Sequence, residues 1–248
     1  MATAYEIALF LLRVVTGFMV WQHGAQKLFG LPAGAAADLL TPAWAAGLIE
    51  FAGGIALAAG FLTRPVAVIV AIDMAVIYVT EYLPLGFPPI LNRQGEVTCL
   101  IFGTALLLAL TGPGKASVDR STRHSPDALG IVRVLMGFLF FCYGLRKMFG
   151  LLGEEAEPFL SLQWYAGVIE LFGGAAIMAG LLTRPVAFVC SGEMAFAYFI
   201  NHNPRGFFPV QNGGERAALF CFFFLFLFAA GPGKWSVDGL RRRARRRG

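Results

Sequence analysis

The residues that could do chemistry are few and stand at matched positions. His23 and Lys27 lie one turn apart at the end of an apolar run, and Glu50, Asn92 and Glu96 follow. About 120 residues on, a second set appears: Lys147, Glu170, Asn212 and Glu215, with Tyr143 in place of His23 and His202 in place of Tyr82. Carboxylates exchange protons, and a lysine, histidine or tyrosine can donate to a carbonyl or hydroxyl oxygen. Trp44, Phe29 and Phe87 supply aromatic walls. Together these types suit a small ligand with carbonyl or hydroxyl groups on an apolar frame, and a quinone head group fits. The plainer reading is that lysine and glutamate at a helix end only snorkel and pair.

Other chemistries find little support. No two His, Cys or acidic residues have tight metal-ligand spacing, so no metal site is expected. No glycine-rich phosphate motif is present. Cys99, Cys142, Cys190 and Cys221 sit in apolar runs without a C-x-x-C pair, which fits inert buried thiols.

The elements that carry these residues are greasy. Of 248 residues 57% are hydrophobic and 14% charged, whereas a soluble domain carries about 25% charged residues. Apolar segments of about 14 to 23 residues recur eight times between Gly/Pro-rich breaks, which predicts an all-α polytopic membrane protein. The N-terminus lacks a basic n-region, so the first helix is expected to remain in the mature protein.

The chain is a duplication. RVVTGFMVWQHGAQKLFG, from Arg13, returns as RVLMGFLFFCYGLRKMFG from Arg133. Gly53-Gly54, Thr63-Arg64-Pro65 and Gly112-Pro113-Gly114-Lys115 return as Gly173-Gly174, Thr183-Arg184-Pro185 and Gly231-Pro232-Gly233-Lys234. The expected organisation is a four-helix repeat over 1–118, a linker over 119–127, a second repeat over 128–238 and an Arg-rich tail over 239–248. Eight transmembrane helices then form two tandem four-helix bundles in one orientation.

Charges inside spans need partners. At 1.5 Å per residue, Arg13 lies roughly 9–12 Å deep, level with Asp73 on the third helix. An Arg13–Asp73 ion pair is therefore expected, with Arg133–Glu193 as its repeat. The outer cluster of each bundle, around Glu50 and Glu96 or Glu170 and Glu215, is the expected ligand site. The double glycine beside each mid-helix glutamate would leave room for a partner helix or a flat ring.

One side of the bilayer would hold twelve basic residues, among them Arg64, Lys115, Arg120, Arg123, Arg184, Lys234 and the tail arginines; the other would hold six. The positive-inside rule puts the first side, with both termini, in the cytoplasm of a bacterial inner membrane. The tail is read as a topology determinant in preference to a nucleic-acid or anionic-lipid binder.

The motifs R-x-x-x-G…H-G-x-x-K-x-F-G, the G-x-x-E-x-x-G-G of Gly47 to Gly54, L-T-R-P, G-F-x-P, N-x-x-G-E and G-P-G-K resemble those of the DoxX family of small membrane proteins. The resemblance covers nearly the whole chain, twice, where family members typically have one four-helix unit. It implies quinone-linked redox or detoxification work beside a redox partner protein. Tyr143 departs from the histidine of the first copy. The alternative is a non-enzymatic carrier or assembly factor that recognises a solute or partner.

Overall fold

The computed structural model describes residues 2–119, 125–152 and 155–245, and among these the chain is helical with no strand. The first half contributes α1 (Ala2–Phe29), α2 (Pro42–Ala59), α3 (Thr63–Ile77) and α4 (Arg93–Thr111). The second contributes α5 (Pro126–Phe149), α6 (Leu162–Ala179), α7 (Thr183–Ala197), a short α8 (Pro209–Asn212), α9 (Glu215–Ala230) and α10 (Val237–Arg245). A π turn and a 3-10 turn prolong α3 to Leu85 and α7 to Arg205. Residues 120–124 of the expected linker, with Arg120 and Arg123, and tail residues Arg246 and Arg247 lie outside the described residues.

Local chemistry sets the helix limits. Thr41 and Ser161 accept hydrogen bonds from the Trp44 and Trp164 amides and so cap α2 and α6. Gly60 and Gly180, at φ 70° and 65°, end the same helices in the left-handed conformation. The entries to α3 and α7 are less usual. Leu62 and Leu182 sit at φ 45° and 47° and cannot cap with their own side chains. Carboxylates from elsewhere do so. Asp119 accepts from the amides of Leu62 (3.1 Å) and Thr63 (2.6 Å), and Asp238 from those of Leu182 (3.0 Å) and Thr183 (2.8 Å). Burial opposes ionisation of both acids, yet these amide donors outweigh it and hold each carboxyl below the usual range. The segment expected as a separate tail from residue 239 thus continues α10, which Asp238 ties to α7.

Among the described residues six helices are long and apolar enough to cross a membrane: α1 to α6, with α3 counted to Leu85. Their outward faces agree. Ile55, Ile69, Ile72 and Val76 on α2 and α3, and Phe172, Phe188 and Phe196 on α6 and α7, are exposed. A water-facing surface would not carry so many, whereas lipid is their natural solvent. α9 spans 16 residues and α7 15 before its π turn.

The halves are not two separate bundles. α1 packs on α2 of its own half and on α9 of the other, while α5 packs on α6 and on α4. α4 and α9 also touch each other at the centre. Tyr5 meets Phe226, and Phe87 stacks on Phe138 across this seam.

The α1–α2 contact is backbone to backbone. A Cβ added to Gly54 would stand 2.3 Å from the Trp21 amide nitrogen, and one on Gly24 2.2 Å from that of Phe51. Gly144 and Gly174 repeat the arrangement against Leu171 and Phe141. Gly54 and Gly174 therefore serve helix packing. Of the two expected occupants of the double-glycine face, the partner helix is the one present: α1 and α5 fill the space over Gly54 and Gly174, so no flat ring fits there.

The expected pairs Arg13–Asp73 and Arg133–Glu193 do not form. Arg13, wholly buried, donates to the backbone carbonyls of Pro113 (2.6 Å) and Ala116 (2.8 Å). Arg133 donates to those of Pro232 (2.8 Å), Ile177 (2.5 Å) and Trp235 (2.8 Å). The physical reason is that a guanidinium carries five donors on a long stem. It spreads these donors over carbonyls in and just after the Gly-Pro-Gly-Lys turn and, for Arg133, in the last turn of α6, where helical partners are missing.

Candidate functional site

Two polar clusters form at the ends of α1 and α5, and each draws on both halves. In the first, Lys27 Nζ stands 2.6 Å from Glu50 Oε1, and His23 Nε2 lies 2.6 Å from Glu215 Oε1. His23 and Lys27 come from α1, Glu50 from the middle of α2, and Glu215 from the first turn of α9 in the other half. In the second, Lys147 Nζ stands 2.6 Å from Glu170 Oε1. The Tyr143 hydroxyl donates to Glu96 Oε2 at 2.6 Å, and Arg216 reaches the same oxygen at 3.3 Å.

Helix four of each repeat thus completes the cluster of the other. Sequence reasoning placed Glu96 with Glu50 and Glu215 with Glu170; the structure exchanges them. The reason is topological: α4 lies against α5 and α9 against α1. The exchange also explains the replacement of His23 by Tyr143, since either side chain can meet a glutamate from the opposite half.

All four glutamates are at least 98% buried. A carboxylate at such depth requires partners, and each has one. Glu50, Glu170 and Glu96 nevertheless each keep one buried oxygen that accepts no hydrogen bond. Asp73 lies within electrostatic reach of Glu50 and Lys27, and Glu193 within reach of Glu170 and Lys147. These two acids, placed by the sequence near the arginines, belong to the clusters. Each also keeps a buried oxygen without a partner. The signal was available, because a residue on α3 facing α2 meets Glu50, while Arg13 turns toward the chain reversal after α4.

The asparagines have structural roles. Asn92 caps α4, accepting from the amides of Gln94 and Gly95. Asn212 is buried, donates to the Gly206 carbonyl at 2.8 Å and accepts from the Gly214 amide. Their hydrogen bonds run to these partners and not to the lysine–glutamate pairs.

The second cluster opens into a cavity of about 360 Å³ lined by Tyr143, Arg146, Lys147, Glu170, His202 and Arg216, among others. A second space of about 390 Å³ lies between α6 and α7 and is lined by Lys147, Gln163, Tyr165, Val189, Glu193 and Phe196. The two share Lys147, Gln163, Ala197 and Asn201. Tyr165, Val189 and Phe196 are exposed on the apolar flank, so the second space faces the lipid side. Among the described residues no group of three His, Cys, Asp or Glu side chains could hold a metal ion.

Comparison with known proteins agrees with this organisation. The family model described as DoxX matches twice, over residues 8–82 and 128–203. A Haemophilus influenzae protein of uncharacterized function is 36% identical over 126 residues, which are 47% of this chain and 92% of that protein. An uncharacterized membrane protein of Mycobacterium tuberculosis is 29% identical, over 53% of this chain and 92% of its own length. CatD of Bacillus subtilis, provisionally named an oxidoreductase, is 30% identical over 48% of this chain and 90% of its own. No solved structure matches the chain.

Proposed function

Since the chain belongs to the DoxX family and carries its unit twice, we propose that it is a quinone-interacting membrane subunit of a redox or detoxification system. On this reading all eight long helices span the bacterial inner membrane, with both termini cytoplasmic. Six are long and apolar enough by themselves. α7 and α9 would be carried by their packing on one another and on the rest of the bundle.

The carrying observation is the pair of neighbouring spaces that share Lys147 in their linings. An apolar-flanked opening between α6 and α7 reaches the part-buried Lys147, which pairs with the buried Glu170. A lipid-dissolved head group could enter between Val189 and Phe196 with its tail left in the bilayer. Lys147 would donate to a carbonyl oxygen of the ring, and Gln163 and Asn201 could supply further hydrogen bonds. Glu170 and Glu193 each keep one oxygen without a partner, so either could hold or release the proton that reduction or oxidation of the ring requires. The electrons would come from a partner protein. The provisional name of CatD supports the redox reading by likeness.

The test is titration of the full chain in nanodiscs with decylubiquinone, read by quenching of Trp164, which neighbours Gln163 on α6. Saturable quenching that Glu170→Gln and Lys147→Met both weaken is expected. The absence of saturable quenching would refute the proposal. Uptake of a solute into liposomes by the same preparation would favour a carrier instead.

A further inference from the structure

The arginine-rich end of the chain has a shape. Along α10 the apolar Val237, Leu240 and Ala244 recur at helical spacing, with Arg241, Arg242 and Arg243 between them. Its first turn lies against the neighbouring helix ends: Asp238 accepts from the Leu182 and Thr183 amides at the start of α7, and Ala179, the last residue of α6, lines one space with Leu240. α6 is itself long and apolar enough to cross a membrane, so α10 runs at the level where the spans end.

Apolar groups point outward at that level. Leu240 is 65% exposed and Trp235, just before the helix, 66%. Trp235 stands at φ 51°, a left-handed conformation that bulky residues avoid. Its first-half counterpart Ala116 has the same backbone at φ 49°, and the two carbonyls accept from the buried Arg133 and Arg13. Those bonds explain the backbone but not the ring. An exposed tryptophan and leucine beside the end of a span match an anchor in the headgroup–acyl boundary.

The opposite flank of α10 is basic. A recess of about 360 Å³ separates it from the start of α7 and is lined by Thr183, Arg184, Asp238, Arg241 and Arg242, among others. Three arginines there stand against one acid, whose carboxylate is engaged by two amides. Arg184 spends Nη1 on the Phe228 carbonyl (2.7 Å), and Arg242 leans through Nε on the Asp238 carbonyl (3.4 Å). A guanidinium has five N–H donors, so both keep donors for an anion. Lys234, paired with Asp127 at 2.8 Å, is not counted.

We propose that the recess between α10 and α7 holds the phosphate of an anionic phospholipid. Arginine forks match phosphate oxygens at two points, and basic residues on an amphipathic helix beside a span attract an anionic leaflet. A topology signal alone would need neither the recess nor the exposed tryptophan. The inference is independent of the quinone reading, whose spaces lie around Lys147, at the far end of α5 from Gly130, the residue against which Trp235 packs.

Native mass spectrometry of the full chain in detergent micelles, titrated with phosphatidylglycerol and, separately, phosphatidylcholine, tests it. One phosphatidylglycerol per chain should bind about tenfold tighter than phosphatidylcholine or better. Arg241→Gln and Arg242→Gln should each weaken it about fivefold, the contribution of one basic residue near an anionic surface. Arg205→Gln, exposed at the other end of the α7 segment, should leave it unchanged. Equal affinity for the two lipids would overturn the inference, as would undiminished binding with both arginines replaced or an equal loss in Arg205→Gln. Displacement of the lipid by inorganic phosphate would also overturn it, marking a soluble-anion site instead.

Discussion

Glu96 is where the exchange between halves can be measured. It is fully buried, and its Oε2 accepts from the Tyr143 hydroxyl at 2.6 Å and Arg216 at 3.3 Å, both in the other repeat. Glu96→Gln keeps the shape and an acceptor but removes the charge. Hydrogen bonds to charged groups contribute about 1.5–3 kcal/mol net, so a loss of that size is expected. Tyr143→Phe removes the donor and leaves the carboxylate with Arg216, at about 1–3 kcal/mol for the group left short of a partner. The double variant should lose less than the sum, with a coupling of about 0.5–3 kcal/mol. Unfolding in mixed dodecylmaltoside–SDS micelles, followed by circular dichroism, reads all three. Glu81→Gln is the control, an exposed position expected to change stability by no more than about 0.5 kcal/mol. Strict additivity of Glu96→Gln and Tyr143→Phe would show that the two do not touch, and the interlocked arrangement would fall.

Other outcomes follow from the same geometry. Arg13→Met and Asp73→Asn should be additive in the same unfolding assay, since Arg13 binds carbonyls and Asp73 faces Glu50; a coupling above about 1 kcal/mol would restore the pair. Gly54→Leu should prevent assembly of α1 on α2, seen as loss of the folded protein in size-exclusion chromatography, because its side chain meets backbone at 2.3 Å. A monodisperse, ligand-blocked variant would contradict this. Asp238→Ala should cost about 0.5–2 kcal/mol, the usual value of a helix cap. The same caps set a pH dependence. Asp119 and Asp238 have carboxyls held below their ordinary value, so their contribution is present above about pH 4 and fades as pH falls through the lower folded-state value. A stability profile flat from pH 6 to 2 in the wild type, unchanged by Asp238→Ala, would argue against them.

Much of the architecture was legible because membrane helices are written in composition. The apolar runs, the Gly/Pro breaks and the repeat pointed to an all-helical chain built from a duplicated four-helix plan. Lys27–Glu50 and Lys147–Glu170 were also readable, since each pair sits at matched positions in the two halves. What a single chain could not reveal was partner choice between identical plans. Nothing local to Glu96 or Glu215 says which repeat's α1-type helix it will meet, because both offer the same backbone. Arg13 misled for another reason. A depth argument finds the level of a group but not its direction, and the long side chain turned toward carbonyls at its own end of the helix. The Asp119 and Asp238 caps were hidden in a repeated SVD motif that reads as ordinary loop until Leu62 and Leu182 are seen in the left-handed region.

The central claim, a quinone held at the lipid-side opening of the second repeat, is tested most directly by photolabelling. An azido-substituted ubiquinone analogue, irradiated with the full chain in nanodiscs and mapped by peptide mass spectrometry, should label α6 and α7 near Gln163, Phe196 and Asn201. Excess decylubiquinone should compete that label away. Label confined to other helices, or label there that decylubiquinone does not displace, would contradict it.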